Sequence, residues 1–182
     1  MSMGVPTTSL LTFEEFERLP DQPGKRELVK GEVIELPPAK YRHNRTATRI
    51  YDRLRIALRR AHRRKEAAAL GEVCIEMGYY LKPDGWLQPD ASVTHAGQFV
   101  GEYIEQSPAI AIEVVSPRNS AEQMEAKLAL YFEHGALEVW LIYQKARRAY
   151  VYVGGQGRMV QESEAITTPL LPGFELILRD VL

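Results

Sequence analysis

Asp90, Glu113 and Lys127 are the residues whose types and placement suggest chemistry. Glu113 lies near the end of the most apolar run in the chain, Ala109 to Val115. A lone carboxylate buried there costs several kcal/mol unless it is paired, bound to a metal or set at an exposed strand end. Asp90 follows Pro89 on the preceding predicted strand, 23 residues upstream. Lys127, 14 residues beyond Glu113, falls on the helical stripe Met124, Lys127, Leu128, Tyr131, which faces the sheet rather than water. Consecutive strands usually lie side by side, and that would bring the two carboxylates within about 4–5 Å. Two like charges at ~4 Å repel by about 4 kcal/mol at an effective dielectric near 20, and a divalent cation removes the penalty. Donors that are all oxygen suit Mg2+, or Mn2+ in its place, rather than zinc. The chemistry such a site performs is metal-assisted phosphodiester hydrolysis. The ion orients and acidifies a water, and Lys127 neutralises developing charge or positions that water. Each piece also has a purely structural reading. A Pro-Asp pair can start a strand, Glu113 can end one facing solvent, and Lys127 can snorkel past the core edge.

The formal net charge of −1 conceals a strong asymmetry. Between Arg42 and Lys65 stand ten basic residues, nine of them Arg, with Asp52 the sole acid, so this stretch carries +9 and the remainder −10. Such a distribution steers a polyanion to one face, and the planar guanidinium suits phosphate. Arg42, Arg45, Arg49 and Arg53 are the candidate nucleic-acid contacts. A solvated helix face, or one paired with acidic surface of a second subunit, explains the same charges.

These residues need elements to position them. Thr12 and Glu15 form a capping box ahead of a short helix bearing Phe13, Phe16 and Leu19, stopped by Pro20. Arg26–Val29 and Glu32–Leu36 read as a hairpin turned at Lys30-Gly31. The basic stretch reads as a helix from Tyr41 to Glu66, with Ala47, Ile50, Leu54, Ala57, Leu58 and Ala61 on its buried stripe. A strand opening at Gly71 and running through Val73, Ile75, Met77 and Tyr79 follows, then a turn at Lys82–Gly85 and a strand from Leu87 to Val93. Thr94 to Ser107 has no clear period and reads as a loop. The run 109–115 has the composition of a central strand buried on both faces. Next come a helix from Ser120 to His134 with Gly135 as its C′ residue, strands Glu138–Tyr143 and Ala149–Val153, a hairpin turn at Gly154–Gly157, and a strand through Met159-Val160.

At 182 residues, 45% hydrophobic and 26% charged, the chain suits a single domain, 1–182, with a mixed β-sheet core flanked by helices. One cysteine, Cys74, rules out an internal disulfide. The four histidines are scattered and give no zinc pattern, and no Ser-His-Asp order, Walker loop or dinucleotide fingerprint is present. No apolar run approaches the ~20 residues that span a bilayer, and no signal peptide is evident, so no membrane partner and a cytoplasmic location are expected. Met3–Thr8 fits a myristoylation pattern only if translation starts at Met3.

Several segments together resemble a known family: Glu27-Leu28-Val29-Lys30-Gly31-Glu32, Pro89-Asp90, Ile112-Glu113-Val114-Val115-Ser116-Pro117, Lys127, and Tyr131-x-x-x-Gly135-x-x-x-Val139-Trp140. In order and spacing they look like the Uma-two family of the restriction-endonuclease-like PD-(D/E)XK superfamily, from about Leu11 to Leu178. The resemblance implies an α/β restriction-endonuclease-like fold, a mixed sheet flanked by helices with an N-terminal helix and β-hairpin, holding a magnesium-dependent nuclease site. It makes Asp90 the first metal-binding acid, Glu113 the second, and the Val114 carbonyl a further ligand. Glu27 matches an auxiliary acid of the site, and His43 a family histidine at the start of the long helix. Two positions depart from the pattern. Val115 stands where the superfamily lysine usually sits, which transfers that role to Lys127. Tyr143 stands where the family often has Asp. The expectation is a Mg2+-dependent DNA endonuclease acting as a homodimer or higher homo-oligomer. The alternatives are a catalytically silent nucleic-acid-binding or regulatory module, and a homo-oligomer whose arginine helix meets acidic surface of a neighbour.

Overall fold

The computed structural model describes residues 10–98 and 101–182, so the Met3–Thr8 pattern lies outside the described residues. Helix α1 (Phe13–Glu17) starts at the expected capping box, Thr12 with Glu15. Strands β1 (Lys25–Val29) and β2 (Glu32–Leu36) pair antiparallel around Lys30-Gly31, both at positive φ. Helix α2 (Tyr41–Arg64) follows, then β3 (Leu70–Ile75), β4 (Tyr79–Leu81), β5 (Gly85–Leu87), β6 (Ala91–His95) and β7 (Ile110–Val114). Helix α3 (Ala121–Glu133) leads to β8 (Glu138–Tyr143), β9 (Arg148–Val153), β10 (Gln156–Gln161) and the short β11 (Ala165–Ile166) and β12 (Leu176–Ile177).

Six strands form the main sheet in the order β10-β9-β8-β7-β6-β3. Only β7 and β8 run parallel, because α3 carries the chain back between them. Strand β7 is buried along its whole length, and its alternation divides the core in two. Ile110, Ile112 and Val114 join Ala47, Ile50, Leu54 and Leu58 of α2 on one face. Ala111 faces the other way, with Met124, Leu130 and Tyr131 of α3 and Val139 and Leu141 of β8. By the same two-residue period Glu113 points to the α3 face, where the Tyr131 hydroxyl donates to it. A sheet buried by a helix on each side therefore has the layered α/β architecture that the sequence predicts.

Two predicted strands are divided. The run expected from Gly71 to Tyr79 breaks at Glu76, which turns into positive φ, so that β3 belongs to the main sheet and β4 to a second one. Gly78 sits there because the Trp86 ring lies where a side chain would be: an added Cβ would come within 2.1 Å of it. The strand expected from Leu87 to Val93 breaks at Pro89, which has no N–H for a ladder. Its first part, β5, joins the second sheet in the order β2-β1-β5-β4, and its second part, β6, joins the main one. Asp90 thus occupies the crossing between two sheets, directly before β6. Elsewhere the boundaries agree closely: α3 has a Ser120–Gln123 capping box and ends with Gly135 at φ +97. Gly154-Gly155 turn β9 into β10 with both residues at positive φ, which only glycine adopts freely. Among the described residues no helix is long and apolar enough to cross a membrane.

Ile112 is fully buried on the strand that carries Glu113. Ile112→Ala is expected to cost about 2–5 kcal/mol, read as a lowered urea midpoint with unchanged slope.

Candidate active site

The antiparallel register Ala91↔Ile112, carried one residue further, sets Asp90 opposite Glu113 at the open end of β6 and β7. A residue's N–H and carbonyl leave a strand on the same side, and the Val114 N–H donates to Asp90 Oδ2 at 2.7 Å. The Val114 carbonyl therefore also faces the Asp90 side. From the first turn of α2, His43 Nε2 lies 3.0 Å from Asp90 Oδ1, and from β1 Lys25 Nζ lies 3.2 Å from the same oxygen. Lys25 also donates to the Gln88 carbonyl at 2.7 Å.

Beneath this pair α3 contributes a second cluster. Lys127 Nζ forms an ion pair with Glu113 Oε1 at 2.6 Å, donates to Glu27 Oε1 at 3.1 Å, and is only 2% exposed. Glu27 Oε2 is 2.8 Å from the ammonium but off the hydrogen-bond direction, and is left without a hydrogen-bond partner. The Gln88 N–H donates to Glu27 Oε1, and the Tyr131 hydroxyl, one turn beyond Lys127, donates to Glu113 Oε1 at 2.7 Å. All contacts to Glu113 fall on Oε1. Among the described residues Oε2 has no hydrogen-bond partner, and Glu113 lines a cleft of about 1130 Å³ with Lys25, His43, Asp90, Val114 and Lys127 among others.

Burial and charge oppose one another at each group. Burial alone would raise the Asp90 pKa, but the His43 hydrogen bond, the Lys25 charge and the Val114 N–H bring it down to about 2. Burial, with Glu27 and Asp90, pushes Glu113 upward against the pull of Lys127 and Lys25. Lys127 would be stripped of its proton by burial, yet Glu113 and Glu27 more than offset this and raise its pKa. Lys25 is raised in the same way, burial being outweighed chiefly by Asp90. Burial and Glu113 lift the Tyr131 phenol well above its usual range, so it serves Glu113 as a neutral donor. Three carboxylates against two ammoniums leave the cluster one negative charge when His43 is uncharged.

The structure thus brings Asp90, Glu113, Lys127, Glu27, His43 and Val114 together. Among the described residues no three His, Cys, Asp and Glu side chains are grouped to hold a metal. The donors available to a cation are Asp90 Oδ1, Glu113 Oε2 and the Val114 carbonyl. This all-oxygen set fits an ion that keeps several waters, as Mg2+ does. Of the arginines, Arg42 lines the cleft and Arg49 donates to the Asp180 carbonyl at 3.2 Å. At about 100° per residue Arg42, Arg45, Arg49 and Arg53 fall within a sector of about 80°, beside the buried face of α2. Tyr143, at the position where Asp was expected, packs edge-on against Tyr150 at 5.7 Å. Sequence reasoning missed Lys25 as a site residue. Its signal was the strand period, which puts Lys25 on the face of Glu27 two residues away. Tyr131 carried a similar signal, four residues from Lys127 on one helix face.

A family model described as "Uma2: Putative restriction endonuclease" matches residues 13–179. The fold is similar to a crystal structure of a putative nuclease belonging to DUF820 from Anabaena variabilis ATCC 29413, with a TM-score of 0.79. The two are 19% identical, over 94% of this chain and 97% of that one, so the likeness is one of fold. No curated protein matches the chain.

The folded pKa of Asp90, about 2, lies below its ordinary value of 3.8. The stability that this ionised carboxylate contributes is complete above about pH 4 and is lost as the pH falls towards 2. Glu113, shifted upward, works in the opposite sense and does not add to this loss. In chelator, wild-type Tm is expected to fall more steeply between pH 4 and pH 2 than that of Asp90→Asn, by the equivalent of about 2 kcal/mol, in thermal melts followed by circular dichroism.

Proposed function

Because this chain belongs to the Uma2 restriction-endonuclease family, we propose that it is a Mg2+-dependent endonuclease that hydrolyses phosphodiester bonds, with duplex DNA as its substrate. The observation that carries this reading is the pairing of Asp90 and Glu113 across β6 and β7 at the cleft, with Glu113 Oε2 unpartnered among the described residues. The description of the structural relative as a putative nuclease supports it.

Asp90, Glu113 and the Val114 carbonyl would hold the ion, which when bound supplies Lewis acidity to the phosphodiester and the attacking water. The remaining residues act on those donors. His43 and the Val114 N–H fix the Asp90 carboxylate from two sides, so that Oδ1 keeps one orientation. Lys127 and Tyr131 do the same for Glu113: both seize Oε1 and leave Oε2 without a hydrogen-bond partner among the described residues. Lys127 carries the cationic role of the superfamily lysine from the cleft floor, and Glu27 holds that ammonium in place. The basic side of α2 holds the nucleic-acid backbone. From Arg42 at the cleft to Arg53 it extends about 16 Å, a length over which each DNA strand presents several phosphates. Cutting both strands takes two such sites, which makes a homodimer the working assembly.

Purified protein is expected to nick or linearise plasmid in Mg2+ or Mn2+, with Asp90→Ala and Glu113→Gln slower by about a hundredfold or more in gel assays. Equal rates for wild type and both variants on DNA and RNA would reject catalysis. Salt-sensitive binding without cleavage would identify a binding module instead. The quadruple change of Arg42, Arg45, Arg49 and Arg53 to Gln is expected to weaken DNA binding and flatten its salt slope by roughly 0.9 per lost phosphate contact, measured by fluorescence anisotropy.

A further inference from the structure

The two lysines of the cleft are not equivalent. Lys127 is locked between two carboxylates, and its side chain is 3% exposed. Lys25 enters from the end of β1, and its side chain is 21% exposed. Its ammonium rests on Asp90 Oδ1 and the Gln88 carbonyl. Asp90 Oδ2 is already taken by the Val114 N–H, so Oδ1 is the oxygen left for a cation, and it is shared by His43 Nε2 at 3.0 Å and the Lys25 ammonium at 3.2 Å. Across the cleft, Glu113 is 95% buried and lines the same space, and among the described residues its Oε2 has no hydrogen-bond partner. The site is thus complete for a cation except that an internal one already occupies part of it.

Resting on the nuclease reading above, we propose that Lys25 is a displaceable counter-ion: it holds Asp90 Oδ1 in the metal-free protein, yields it to the divalent ion, and transfers its ammonium to the nucleic-acid phosphate. Charge balance gives the reason. With His43 uncharged the cluster carries one negative charge, a divalent ion alone takes it to one positive charge, and a single phosphodiester returns it to zero. A low-dielectric cleft favours the neutral total, so metal and phosphodiester bind cooperatively. The flexible four-carbon stem of lysine permits the transfer, which a planar guanidinium locked to Asp90 in two places would resist.

Mn2+ binding to the full chain, followed by calorimetry and by the electron paramagnetic resonance of the free ion, tests this without any cleavage readout. Lys25→Met is expected to bind Mn2+ on the order of tenfold more tightly than wild type. A phosphorothioate-substituted duplex is expected to tighten Mn2+ binding to wild type several-fold, and to do so less for Lys25→Met. Lys25→Gln, which keeps a donor for the Gln88 carbonyl, serves if the Met variant is poorly folded by circular dichroism, and should show the same tightening. If Asp90→Asn abolishes Mn2+ binding to wild type while the Lys25 variants bind no more tightly, the counter-ion role is overturned and the metal site stands. If the duplex leaves Mn2+ affinity unchanged in wild type, the transfer to phosphate is overturned. If no Asp90-dependent Mn2+ binding occurs in any variant, the metal reading and this inference fall together.

Discussion

The ammonium of Lys127, held between Glu27 and Glu113, is the contact on which the arrangement of this protein turns. It ties α3 to a strand of each sheet, through charges that burial would otherwise expel or neutralise. Desolvating an ion costs several kcal/mol, so the triad is tolerable only when all three members meet at hydrogen-bond distance. That requirement fixes how β1 sits relative to β7 and how α3 lies over both. Hydrophobic packing of Met124, Leu130 and Tyr131 sets the helix on the sheet, and the triad sets its rotation and height.

The cleft is the visible result. The two carboxylates are oriented differently. Glu113 has one oxygen engaged by Lys127 and Tyr131, whereas Asp90 is held at both, Oδ2 by the Val114 backbone and Oδ1 by His43 and Lys25. Groups fixed in this way do not have to reorganise when a ligand arrives. The second sheet, which looks peripheral, supplies Lys25 and Glu27 and passes the Gln88 N–H and carbonyl to them. It is therefore part of the site as well as its rim.

Much of this was legible in the sequence, for reasons that differ by residue. Glu113 was conspicuous because a charge in an all-apolar, β-branched run violates the burial rule. Asp90 followed from the tendency of successive strands to pair, and Lys127 from helical spacing. Strand ends at Glu76 and Pro89 were harder to see. The alternation of apolar residues continues across both breaks, and only the assignment of the pieces to two sheets, a long-range matter, distinguishes a kinked strand from a continuous one. Lys25 escaped notice because a lysine at the start of an edge hairpin usually lies in solvent. Its destination depends on Asp90, 65 residues away. The direction of the arginines was readable from helical geometry alone, whereas the Arg49 contact with Asp180 needed the folded C-terminal segment.

The break at Glu76 has an effect beyond dividing two sheets. Strand β3 is an outer strand of the main sheet, with Ile75 and Met77 substantially exposed beside its end. A straight outer strand of that composition would be a template for another chain to zip onto. The irregular register between Leu70 and Val73, followed by the turn into positive φ, leaves too short a run of free backbone donors and acceptors for that. The kink at Glu76, whose N–H lies against the Asp90 carbonyl at 3.4 Å, thus also guards the molecule against sticking to itself edge to edge.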